Sequence, residues 1–124
     1  MRIPTICRYC GGKVVLTSAS EIYEKSAERI YLCRNCNAYV GVHAGSNRPL
    51  GRLANAVLRM KRRETHEIFD AFWRSRVLSR TQAYRWLAAA LHLPESGAHI
   101  GNFEMDDCQR VITLCRENEN KEAA

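Results

Sequence analysis

Four of the six cysteines in this chain fall in two C-x-x-C pairs, Cys7-Arg8-Tyr9-Cys10 and Cys33-Arg34-Asn35-Cys36, with 22 residues between them. Zinc takes four borderline or soft donors at tetrahedral angles, and two such knuckles joined by a β-hairpin can supply them with no position left open. Gly11-Gly12 and Asn37 follow the second cysteine of each pair, where a knuckle calls for positive φ and for backbone N–H groups aimed at sulfur. Arg8 and Arg34 occupy matching places in the two knuckles, and guanidinium groups there would favour thiolates around a centre of formal charge −2. Disulfide exchange also uses C-x-x-C, but at a helix N-terminus within a βαβ pattern that is missing here. One structural Zn2+ held by Cys7, Cys10, Cys33 and Cys36 is therefore expected, with His43 a weaker substitute for one cysteine. Cys108 and Cys115 lie seven residues apart in a helical apolar pattern, which favours packing in a core over a second metal.

The histidines and one acidic residue form the second group with chemical capacity. His66 and Asp70 stand at i, i+4 on a predicted helix, and His43 or His99 could join them in the fold. Such a set could serve acid–base or metal-assisted nuclease and hydrolase chemistry. A hydrogen-bonded structural cluster, with Arg59 as a further member, is favoured instead. No nucleophile motif, phosphate loop or H-E-x-x-H is present, so no catalytic residue is assigned.

A basic run forms the third group. The net charge is +6 over 124 residues. Residues 1–47 contribute 6 basic and 3 acidic side chains, residues 48–80 contribute 9 and 3, and residues 81–124 contribute 4 and 7. The positive field is thus concentrated in the middle, on Arg52, Arg59, Lys61, Arg62, Arg63, Arg74, Arg76 and Arg80, where a nucleic-acid backbone or an acidic protein face would be drawn. Trp73, Tyr84 and Trp86 could stack on bases, although their places on or beside an apolar stripe favour burial.

These groups need a scaffold. β-prone runs at Lys13–Thr17, Arg29–Leu32 and Ala38–Val42 predict three short antiparallel strands, with a polar connection over Ser18–Ser26. His43–Pro49 has linker composition and places a boundary near residue 48. Helices are expected at about 50–74, 80–92 and 104–117. Leu53, Val57, Met60, Ile68, Ala71 and Phe72 form the apolar side of the first, and Glu64 falls in that sector as an exception that could bend it near Arg63-Glu64-Thr65. Ser79 and Gln82 form a capping box for the second, and residues 118–124 read as a frayed tail. The fold class is α+β: a zinc ribbon over 1–47, then a helical domain over 48–117 sharing one small core. No run of about 20 apolar residues and no signal sequence is visible, so a cytoplasmic location without membrane contact is expected.

Several pieces together resemble a known family. They are Cys7-x-x-Cys10, Leu32-Cys33-x-x-Cys36, Ala38-Tyr39-Val40-Gly41-Val42-His43, Pro49-Leu50-Gly51-x-Leu53-Ala54, Leu58-Arg59, His66, Phe69-Asp70, Trp73, Arg80-x-x-Ala83-Tyr84-x-Trp86-Leu87-Ala88 and His99-Ile100-Gly101-x-Phe103. On these the chain resembles the zinc-finger-containing domains of unknown function found in bacteria, phages and prophages. The resemblance implies a zinc-ribbon head on a helical body in a phage-related setting, and it carries no activity with it. From the residues, the expected function is a non-catalytic nucleic-acid-binding accessory or regulatory protein. Docking onto a host or phage protein is the alternative, and a His/Asp nuclease or hydrolase comes third.

Overall fold

Three strands form an antiparallel meander in the order β1-β2-β3: β1 over Val14–Ser18, β2 over Arg29–Cys33 and β3 over Tyr39–Gly41. The computed structural model describes residues 2–23 and 28–123, with side chains through residue 119. Glu24, Lys25 and Ser26 of the polar connection lie outside the described residues, while its first part makes a 3-10 turn at Ala19–Glu21 capped by Ser18. Register pairs Val14 with Cys33 and Tyr31 with Val40. The central strand β2 is buried on both faces, which suits its apolar run Ile30-Tyr31-Leu32-Cys33. Tyr31 and Cys33 join Cys7, Val14, Ala38, Val40 and Leu53 on one side, and Ile30 and Leu32 meet Ala19 on the other.

The first helix, α1, spans Ala56–Arg74 and starts later than the expected Leu50. Residues 49–54 instead run non-helically beside β3, tied to it at both ends and bent between: Pro49 bridges to Val42, and Ala54 and Tyr39 exchange N–H···O bonds of 3.1 and 3.0 Å. Asn55 then caps the helix, its Oδ1 accepting the Leu58 N–H at 2.9 Å. The spacing of Leu50, Leu53 and Val57 imitates a helical stripe, but the backbone of Leu50 and Ala54 finds its partners in Gly41 and Tyr39 at the sheet edge. The expected apolar side also shifts. Val57 and Met60 are 62% and 69% exposed, whereas Leu58, Thr65, Phe69 and Phe72 are buried. Glu64 is exposed, so it conflicts with nothing, and the helix passes Arg63–Thr65 unbroken. Buried Thr65 donates to the Lys61 carbonyl at 2.7 Å.

The second helix, α2 (Arg80–Leu91), opens on the capping box: Ser79 Oγ accepts from the Gln82 N–H and Gln82 Oε1 from the Ser79 N–H. Both α1 and α2 close in Schellman fashion without glycine. Val77 and His92 stand at φ 56 and 57, and the N–H groups of Leu78 and Leu93 reach back to the Trp73 and Ala88 carbonyls. The third helix, α3, runs from Met105 to Ala123, so residues 118–123, read in the sequence as a tail, carry helical backbone. Asn118 Nδ2 donates to the Leu114 carbonyl at 2.8 Å.

The chain divides into two compact units, Met1–Arg59 and Met60–Ala124, later than the boundary expected near residue 48 because residues 49–54 belong with the sheet. The second unit has its own core of Phe69, Phe72, Ala83, Leu87, Leu91, Ile100, Phe103, Cys108, Val111 and Cys115. Tyr84 packs edge-on against Phe69, with centroids 5.1 Å apart, and Trp86 lies 5.0 Å from Phe72.

Candidate metal centre and basic surface

Each knuckle is built by the same two backbone bonds. Cys7 N–H donates to the Gly12 carbonyl at 2.8 Å and Gly11 N–H to the Cys7 carbonyl at 2.9 Å; Cys33 N–H donates to Ala38 at 2.9 Å and Asn37 N–H to Cys33 at 2.7 Å. Gly11 at φ 76 and Asn37 at φ 64 make the matching left-handed turns. Gly12 is required for a second reason: a Cβ there would sit 3.2 Å from Asn35 Cβ and from the sulfurs of Cys10 and Cys33. The first cysteine of each pair is buried and the second exposed, so the centre lies at the edge of the sheet's core.

The four Sγ atoms all lie within 4.8 Å of one another, with Cys7–Cys36 at 3.5 Å and Cys10–Cys33 at 3.4 Å. A tetrahedron of Zn–S bonds of about 2.3 Å has edges of about 3.8 Å, so the constellation fits a four-thiolate zinc and is too open for disulfides. The polar hydrogens aimed at sulfur come from the Tyr9 N–H to Cys7, and from the Gly12 N–H and Asn35 Nδ2 to Cys10, each at 3.4 Å. Asn35 first and Gly12 second hold the Cys10 thiol down, to about 6. Cys36 goes the other way, to about 12: the Ala38 N–H favours its thiolate, but burial and the three neighbouring sulfurs outweigh it. Four thiols this close cannot all ionise without a cation, and zinc supplies that charge.

Arg34 does not play the part expected of it. Its Nε and a terminal nitrogen grip Glu21 at 3.0 and 3.1 Å, and Arg34 with Thr17 brings the Glu21 carboxyl down to about 2. Arg8 lies over the Tyr9 ring at 5.2 Å. The hydrogen bonds seen at the sulfurs come from N–H donors, of which the Asn35 side chain was missed by sequence reasoning. The signal was there, since Asn35 directly precedes Cys36 within the knuckle. Replacing Asn35 by Ala is expected to weaken zinc binding about tenfold, read by competition with a chromogenic chelator; unchanged affinity would show that this amide does not tune the centre.

Among the described residues no second group of three or more His, Cys, Asp or Glu side chains converges on a metal-sized site. Asp70 Oδ1 accepts from Trp73 Nε1 at 2.9 Å. Burial pushes the half-buried His66 below its ordinary value, with Asp70 opposing and Arg80 assisting. His99 lies beside Tyr84, with ring centroids 6.3 Å apart. His43 sits in the first unit, where its N–H donates to the Arg48 carbonyl at 2.9 Å. Cys108 and Cys115 are both fully buried, and burial raises both thiols, Cys115 to about 11, so they pack as neutral side chains.

The eight basic residues divide between the units. Arg52 and Arg59 belong to the first; Lys61, Arg62, Arg63, Arg74, Arg76 and Arg80 belong to the second. Several bind their own unit. Arg59 stacks on Tyr39 at 3.9 Å and donates to the Ala54 carbonyl at 2.6 Å. Arg62 Nε donates to the Phe103 carbonyl at 2.8 Å, and Lys61 to Gln109 at 2.8 Å. Arg76 donates to the carbonyls of Phe72 and Asn118. Arg52, Arg63, Arg74 and Arg80 are exposed.

The model of the zinc-finger-containing domain family matches residues 3–118, nearly the whole chain. No curated protein and no solved structure matches it. The chain belongs to the zinc-finger-containing domain family, and with its four-cysteine cluster it is a zinc-binding protein with one structural site. No helix among the described residues is long and apolar enough to cross a membrane.

Proposed function

We propose that this zinc-finger-containing protein binds nucleic acid as a non-catalytic accessory or regulatory factor. The observation that carries the reading is the way the helical unit presents its outward guanidinium groups. Arg63, Arg74 and Arg80 are exposed, with Arg74 lying over Trp73 at 5.3 Å and Arg80 over Tyr84 at 5.1 Å. A guanidinium within cation–π range of a ring is steadied by it, and a guanidinium meets a phosphate with two parallel N–H bonds. Zinc stiffens the head that accompanies this surface and takes no chemical step.

Fluorescence anisotropy of the zinc-loaded chain with short DNA and RNA, single- and double-stranded, tests the reading. Affinity should fall linearly in log salt, and changing Arg63, Arg74 and Arg80 together to Ala should lower the slope by about 2. Failure to bind at low salt overturns it. A second reading, docking onto a host or phage protein, draws on Val77, which is 92% exposed in a left-handed backbone conformation, and on Met60, exposed at 69%.

A further inference from the structure

A groove of about 470 Å³ runs along the first unit, lined by Arg2, Pro4, Ile6, Arg8, Gly51, Arg52 and Leu53. One wall is the alternate residues of the N-terminal segment, which bridges back to Lys13 through Ile6. The same segment delivers Cys7 to the metal centre, so the groove is fixed to the zinc knuckle by adjacent residues. The other wall is the run 51–53 that precedes α1, where buried Gly51 has no side chain to fill the space. Among the described residues three guanidinium side chains and no carboxylate line it, while Pro4 and Ile6 supply apolar surface, Ile6 being 69% exposed, over a floor that includes buried Leu53.

From this combination we infer that the groove holds a single-stranded segment of nucleic acid, its phosphates on Arg2, Arg8 and Arg52 and its unstacked bases against Pro4 and Ile6. The inference rests on the nucleic-acid reading above and assigns the zinc head a contact of its own. The apolar component selects a single strand. A duplex offers its phosphates but keeps its base faces stacked inside, so an exposed isoleucine between arginines would gain nothing from it. Arg2 and Arg8 are six residues apart, on the order of 20 Å if fully extended, a span that covers several nucleotides. Neither Arg2 nor Arg8 belongs to the basic run that sequence reading singled out, because they are separated in sequence from Arg52 and meet it only through the fold.

The test uses the zinc-loaded full chain with fluorescein-labelled dT12, rU12 and a 12-base-pair duplex. Changing Arg2, Arg8 and Arg52 to Ala should weaken single-strand binding by about tenfold or more and lower its salt slope by about 2. Ile6→Ser should weaken it without changing the slope. Zinc content is measured on each variant, and an Arg2/Arg52 double variant, which leaves the knuckle untouched, must show the same trend with a smaller drop. If the chain binds single strands but these variants match the parent in affinity and slope, the groove is not the site while the general reading stands. If they lose duplex binding equally, the single-strand assignment fails. If the parent binds no nucleic acid at all, both fall together.

Discussion

Changing Cys33 to Ala should unfold the zinc head and abolish stoichiometric zinc binding. Cys33 is fully buried, ends β2, and serves three purposes at once. Its sulfur is one of four donors; its N–H and carbonyl close the second knuckle on Ala38 and Asn37; and its strand partner is Val14 of β1. Zinc held by four cysteines in a small fold contributes about 10–16 kcal/mol of apparent binding free energy at neutral pH, more than a unit of this size keeps in net stability. Removing one donor leaves an open coordination position and a cavity, and the remaining thiols cannot all ionise. Zinc analysis should fall from one per chain toward none, with loss of strand signal in circular dichroism, and a strong chelator added to the parent should do the same. A Cys33→Ala chain that retained one tight zinc and an unchanged melt would refute the assignment. The pH dependence has a definite sign. Binding zinc displaces protons from the thiols that the metal-free cluster keeps protonated, Cys36 at about 12 being the extreme, so apparent affinity must fall as pH falls.

What the sequence made visible follows from how local each signal is. Each zinc knuckle, each of the three strands and the Ser79–Gln82 box is set by residues within a few positions of one another, where spacing and geometry are tied. The start of α1 was hidden because Leu50, Leu53 and Val57 have helical spacing, while the sheet edge that claims the backbone of 49–54 lies earlier in the chain. The end signals of α1 and α2 were weak because Val77 and His92, rather than glycine, take the left-handed positions. The internal bonds of the basic cluster were hidden for a similar reason. A guanidinium that donates to a distant carbonyl, as Arg62 does to Phe103 or Arg76 to Asn118, reads in sequence like one that faces water. The groove that brings Arg2 and Arg8 to Arg52 was not legible because proximity across 44 residues leaves no periodic trace.

The helical unit answers to a different residue. Phe69→Ala is expected to cost about 3–5 kcal/mol, the range for emptying a large aromatic site in a packed core. Phe69 has no exposed surface, stands on the buried side of α1 between Thr65 and Phe72, and meets the edge of Tyr84. Its neighbours cannot easily collapse into the gap, since Leu87, Ile100 and Val111 are themselves fully buried in the same cluster. Set against about 0.05–0.15 kcal/mol per residue of net stability, this loss removes most of what holds a unit of this length. Helical circular dichroism should melt at much lower temperature, while Phe69→Leu, which keeps most of the volume, should cost under about 1.5 kcal/mol. Zinc content should stay at one per chain, because all four donors lie between residues 7 and 36 in the unit with its own sheet and core. That is the reverse of the pattern expected for Cys33→Ala, and the contrast separates the metal's contribution from that of packing. A Phe69→Ala protein that lost less than about 1 kcal/mol would show that the core relaxes around the cavity; one that lost its zinc would show that the head depends on the helices for its metal.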